Sequence, residues 1–199
     1  MTRKWLLASF LLLGAFNVFG DEFDYPDLDS YGIDVSGEFF ITSAVFQGGI
    51  SLNDEDFYDD LVEQTRSDYV KVRGLVEPDR DHLEKQADIL VVAVYTPLVE
   101  DELLSHSLLY MLGENGGVFV WDGQLSSLVA FVKDVTLTES QPVSMYSGKF
   151  DFAGLLDIYF GYRLVNNETG GDNNGAIDIQ NRDGTIVVCD EPIETFINP

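Results

Sequence analysis

The chain has 199 residues, 35 Asp plus Glu against 11 Lys plus Arg, a formal charge of −24 and one Cys. That charge argues against a nucleic-acid partner, since binding to phosphates leans on Lys and Arg. Cys189 alone cannot build a disulfide framework, while 45% apolar residues, with 14 Phe, 9 Tyr and 2 Trp, supply a sizeable core and argue against global disorder.

Thr2, Arg3 and Lys4 form a short basic start, and Trp5 to Phe19 is an apolar run broken by small residues and Asn17. This pattern predicts a secretory signal over residues 1–20, cleaved after Gly20. An uncleaved anchor is the competing reading, but the run is shorter than the ~20 residues a span needs, and no membrane span is expected after cleavage. Losing two cations and no acid would carry the net charge from −24 to −26. Such a surface favours solubility and gains from bound cations or salt.

Asp21 to Asp34 mixes acids with isolated aromatics and has no period, so it reads as a flexible acidic leader. Residues 35–199 read as one domain. From Val35 the pattern alternates, with Val35, Gly37, Phe39, Ile41, Ser43 and Val45 on one strand face until Gly48 and Gly49 stop it. Asn53 to Ser67 is the best helix candidate, with Asn53 as N-cap, acids in the first turn and Phe57 four before Leu61. A charged surface loop is the alternative there.

Strands dominate the rest of the chain. Tyr69 to Val76 alternates and reads as half-buried, whereas Asp88 to Tyr95 is apolar on both faces and reads as central. Further strands are expected at Leu108 to Leu112, Val118 to Trp121, Val129 to Leu137, Val143 to Tyr146, Leu155 to Leu164, Thr185 to Cys189 and Ile193 to Ile197, with Gly, Asn and Asp turns between them. On the longest, Leu156, Ile158, Phe160, Tyr162 and Leu164 share a core face. Nine or ten short strands and at most one short helix predict an all-β antiparallel β-sandwich of immunoglobulin-like type, with a barrel as runner-up.

Several phrases together carry a resemblance: Gly74 to Pro78 with His82, Ala87 to Tyr95 (ADILVVAVY), Val118 to Phe131, Tyr146 to Phe150 (YSGKF), Gly154 to Leu164 (GLLDIYFGYRL), and Asp183 to Val188 (DGTIVV) before Glu191 to Glu194. In this order they resemble a recurring module of secreted and surface proteins of Gram-negative bacteria, over residues 70–197. The resemblance implies an extracytoplasmic, β-rich module and carries over no catalytic residue. This chain departs from it between FGYRL and DGTIVV, where residues 166–182 are inserted.

The insertion holds the one arrangement that suggests a metal. Gly170, Asp172, Asn174, Gly175, Ile177 and Asp178 fall at positions 1, 3, 5, 6, 8 and 9 of an EF-hand-like loop, so Asp172, Asn174 and Asp178 are the candidate calcium ligands. Asn181 replaces the final carboxylate, which would weaken the site, and a polar hairpin loop explains the same residues. The acids at 54–63 and 77–81 read as solvated faces.

His82 and His106 lie in no HExxH, no GxSxG surrounds a Ser, and Cys189 sits in an apolar run where a buried thiol is the expectation. A sugar platform would need Trp121 with Tyr146, Tyr159 or Tyr162, though the pattern around Trp121 favours packing. The sequence is therefore read as an exported, non-catalytic binding or structural module of the bacterial periplasm or exterior, with a protein partner at the envelope and calcium as the candidate ion. The alternatives are an exported hydrolase of polysaccharide or peptide, marked by two perturbed carboxylates in a pocket, and an adhesin or pilus-like subunit, marked by an open edge strand.

Overall fold

Side chains alternate across a strand, so a run with large apolar residues at every second position can close one face of a sheet. Gly154 to Leu164 does this over eleven residues, and Gln86 to Val99 pairs with it along its whole length. In the computed structural model, which describes residues 24–34, 36–55, 58–100, 102–165 and 185–199, the strands are β1 (Asp27–Leu28), β2 (Ser30–Ile33), β3 (Phe39–Phe40), β4 (Val45–Leu52), β5 (Leu61–Thr65), β6 (Val70–Glu77), β7 (Gln86–Val99), β8 (Glu102–Leu103), β9 (Leu108–Leu112), β10 (Val118–Val120), β11 (Val132–Thr136), β12 (Gln141–Gly148), β13 (Gly154–Leu164), β14 (Ile186–Cys189) and β15 (Ile193–Asn198). Helical residues among those described are confined to single 3-10 turns at Arg80–His82, Glu114–Gly116 and Leu125–Ser127.

The architecture is all-β, two sheets packed as a sandwich. The smaller sheet runs β1-β4-β6-β12, antiparallel throughout. The larger runs β10-β9-β7-β13-β14-β2-β3. Within it, β7 is flanked on one side by β11 and β9 in succession, and β13 by β15 and β14 in succession. β5 adds to β15 in parallel.

Between the sheets lie Phe46, Ile50, Val70, Val72, Val76 and Val143 from the smaller sheet, and Ile89, Val91, Leu156, Ile158, Phe160 and Tyr162 from the larger, all buried. The expected core face of β13 is thus observed. Phe160 meets Phe46 edge to face at 5.5 Å between ring centres. A second cluster of Ile33, Leu90, Met111, Leu128 and Ile186 covers the other face of the larger sheet, under the Leu125–Ser127 turn. Directly opposite on β7 and β13, buried Asp88 and Arg163 form an ion pair at 3.1 Å, and Arg163 Nη1 also donates to Leu128 O at 3.3 Å. β7 is therefore central and buried on both faces, as its composition implies.

Four expectations change. The strand expected from Val35 to Val45 is broken by a turn at Ser36 and Gly37 (φ 86°) and reduces to Phe39–Phe40 before β4, with Phe39 and Ile41 exposed. The stretch read as a helix from Asn53 contains β5 instead, because Asn53 and Asp54 both take left-handed backbone angles (φ 52° and 63°) that turn the chain out of β4 and cannot begin a helix. Asn53 does not cap a helix; its side chain accepts from Tyr69 N and donates to Asp68 Oδ1. Gly48 and Gly49 do not end a strand, since β4 runs through them. Gly48 faces Gly74 across the β4–β6 pair, and a Cβ at either position would meet Phe160 at 3.2 and 2.5 Å, so the two glycines form the notch that seats that ring. In the stretch read as a leader, Asp27–Leu28 and Ser30–Ile33 are paired strands. The signal segment 1–20 lies outside the described residues.

Candidate functional site

Cross-strand register sets which side chains share a row over the sheet. One row crosses Leu112, Val91 and Phe160, and the next crosses Tyr110, Ala93 and Ile158. The first row fills the space between the sheets with a ring seated in the glycine notch. In the second, the small side chain of Ala93 stands at the centre, and a cavity of about 380 Å³ opens above it. Its walls are Tyr95, Tyr110, Leu112 and Val118 on one side, Leu156 and Ile158 beneath, and Met145, Tyr146, Phe150 and Phe152 opposite.

The opposite wall depends on an irregularity. Register between β12 and β6 shifts between Ser144 and Tyr146, a bulge that lets consecutive residues Met145 and Tyr146 both reach the cavity. Tyr146 then stacks on Phe150 at 4.5 Å with planes 10° apart, Phe150 meets Phe152 at 5.2 Å, and Phe152 meets Tyr95 at 4.6 Å. Two of the phenols are anchored to the backbone: Tyr146 donates to Lys149 O at 2.7 Å and Tyr95 to Ala153 O at 2.8 Å. Burial raises both phenol pKa values, helped by Tyr110 beside Tyr95 and by Asp151 beside Tyr146, so these rings stay neutral at physiological pH.

Charge is confined to the same turn. Lys149 and Asp151 contribute to the lining, but the Lys149 ammonium donates to Ser67 O at 2.6 Å. There it also helps to hold the Asp68 carboxyl below its usual range, after the stronger effect of hydrogen bonds from Asn53 and Thr65. The site is an apolar, aromatic-walled recess with one carboxylate among its described lining residues.

A second group gathers at the other end of the sandwich. The buried Tyr162 hydroxyl and His82 Nδ1 share a hydrogen bond at 2.7 Å, and Asp79 Oδ2 lies 3.6 Å from the same nitrogen. Asp79 accepts from Thr42 Oγ1, Ser43 N and Ser43 Oγ. Burial pushes its carboxyl up, but these donors together outweigh that and hold it low. Burial lowers the His82 pKa against the opposing pull of Asp79. Ser43 donates to the carboxylate instead of to the imidazole, so this Ser, His and Asp set lacks the serine-to-base contact of a nucleophilic triad. It closes the buried hydroxyl of Tyr162.

The remaining candidates are dispersed. Cys189 is buried, accepts from Phe160 N at 3.2 Å, and has its thiol pKa pushed up to about 12 by burial, which fits the inert thiol expected from the sequence. Trp121 packs on the outer cluster and donates to Gln124 O, Tyr162 is fully buried and Tyr146 lines the recess between the sheets, so neither of these tyrosines joins Trp121 in a sugar platform; Tyr159 is half-buried against the main core. Asp172, Asn174 and Asp178 lie outside the described residues. Among the described residues no group of three or more His, Cys, Asp or Glu is placed to hold a metal ion, and no helix is long and apolar enough to cross a membrane.

The cavity was not evident from the sequence. Its signal was the YSGKFDF phrase, where aromatics at 146, 150 and 152 surround a Gly and a Lys, but the partners Ala93 and Tyr110 are defined only by pairing across the sheet. Compared with known proteins, the chain matches no family model, no curated protein and no solved structure. What stands of the resemblance is its β-rich, sandwich-like fold.

Proposed function

We propose that the chain is an exported, non-catalytic binding module of the bacterial envelope or exterior, and that it takes an apolar small molecule between its sheets. The observation that carries the binding reading is the aromatic-walled recess of about 380 Å³ over Ala93, within the size range of small-molecule sites and lined as they commonly are. Export is supported by the basic start and apolar run of residues 1–20, and the envelope setting by the phrases shared with the secreted module.

The neutral fluorophore N-phenyl-1-naphthylamine tests the binding reading. Saturable fluorescence enhancement at one site per chain is expected, lost when Ala93→Phe fills the recess. Absence of a saturable signal, or a signal indifferent to Ala93→Phe, overturns it.

A second reading has its own support. β10 ends the larger sheet, bonded to β9 alone among the described strands, with Val118, Phe119 and Val120 all exposed. An open apolar edge of this kind accepts a partner's strand, which is the adhesin or pilus-like alternative. Calcium at Asp172, Asn174 and Asp178 belongs to the proposal on sequence spacing alone. Thermal unfolding in calcium and in magnesium at matched ionic strength checks it, since a ligand of the folded state raises apparent stability. A calcium-specific rise lost in the Asp172→Ala/Asp178→Ala variant is expected, and equal shifts in both ions mean charge screening instead.

A further inference from the structure

Resting on the cavity reading above, we infer that the recess selects amphiphiles with a cationic head, of the quaternary-ammonium type, over neutral and anionic ones of the same chain length. Tyr95, Tyr110, Tyr146, Phe150 and Phe152 all line one recess. An aromatic face carries negative quadrupole charge and attracts a desolvated cation, which is how aromatic cages hold quaternary ammonium groups. The rings cannot hydrogen-bond such a head, nor does it need them to.

Charge points the same way. Asp151 supplies a carboxylate to the lining, and the positive group of Lys149 is directed to Ser67 O, beside Asp68. The whole chain carries −24, so long-range attraction favours a cation over a fatty carboxylate as the approaching ligand. Met145, Leu112, Leu156 and Ile158 leave apolar wall for a short alkyl tail. The occupant that satisfies rings, rim and wall together is a small alkylammonium compound.

Isothermal titration of the protein with octyltrimethylammonium, octanol and octanoate, at 0.15 M and 0.5 M NaCl, tests the inference. One molecule per chain is expected, with the ammonium probe roughly three- to thirty-fold tighter than octanol and octanoate weakest. The preference should persist at 0.5 M salt, where surface attraction is screened. Tyr110→Leu and Phe152→Leu retain apolar wall but remove rings, so they should keep octanol binding and lose most of the ammonium preference.

Octanol or octanoate binding as tightly as the ammonium probe overturns the inference and leaves the cavity reading standing. Multiple weak ammonium sites abolished by salt overturn it equally, as does a preference unchanged in both Leu variants. Failure of all three probes to bind removes the cavity reading and this inference with it.

Discussion

Two stretches of β13 lie on the same face of the same strand and meet opposite fates. Phe160 and Tyr162 run into a filled interior: the first enters the notch of Gly48 and Gly74 against Phe46, and the second has its hydroxyl closed by His82. Leu156 and Ile158, one turn of the pleat away, floor a recess ringed by aromatics. The difference comes from the neighbours. At the filled end Gly48 and Gly74 stand where the ring of Phe160 arrives from the other sheet, while at the open end Ala93 faces a cavity whose far wall is Met145, Tyr146 and Phe150, beside the irregularity in β12. A sandwich can thus hold a filled half and a receptive half without changing its strand pattern.

Truncation should separate the halves most sharply. Phe160→Ala is expected to cost about 3–5 kcal/mol, since the glycine notch cannot collapse onto the space left behind. Phe150→Ala, beside an existing recess, should cost at least about 1 kcal/mol less. Urea unfolding of both variants measures the gap, and equal losses would erase the distinction.

Adding atoms reverses the contrast. A Cβ at Gly74 would stand 2.5 Å from Phe160 Cζ, so Gly74→Ala should destabilise by about 1–3 kcal/mol through overpacking. Ala93→Val, which grows into open space, should change stability by less than about 1 kcal/mol while weakening ligand binding. The same unfolding measurement decides it, and a larger loss for Ala93→Val than for Gly74→Ala would contradict the account.

The smallest expected effect is in pH. Burial depresses the His82 pKa below its ordinary 6.5. Between the folded and unfolded values the folded chain binds fewer protons than the unfolded one, so this contribution is complete above about 6.5 and is lost as pH falls from there through the lower folded value. His82→Gln, which keeps a hydrogen-bond partner for Tyr162, should flatten the dependence in that window. An unchanged slope would mean that another group titrates there.

How much of this was legible varies with the range of the interactions involved. β6, β7 and β13 are long and strongly patterned, so their positions and the core face of β13 follow from residue type. β1 and β2 are two and four residues long and of mixed composition, and β3 is the pair Phe39–Phe40, so none is long enough to show a period; each is a strand through its pairing, with β4, β14 and β2 respectively. β5 was obscured by the acids around it, although Val62 and Gln64 do alternate with exposed Leu61, Glu63 and Thr65. The glycine notch reads locally as a strand end, because its reason, the ring of Phe160, lies over eighty residues away in the chain. The recess is the extreme case: Tyr146, Phe150 and Phe152 are visible together, but Ala93 and Tyr110 join them only through register, and the sequence pairs Tyr146 with Trp121, which packs on the other face of the larger sheet.

Two methionines offer the most direct test of the recess. Met145 lines it, while Met111 is buried in the cluster on the opposite face of the larger sheet. In a protein labelled at the methionine methyl groups, titration with octyltrimethylammonium should shift the Met145 resonance saturably and leave that of Met111 in place. A shift confined to Met111, equal shifts of both, or no shift of either would contradict binding between the sheets.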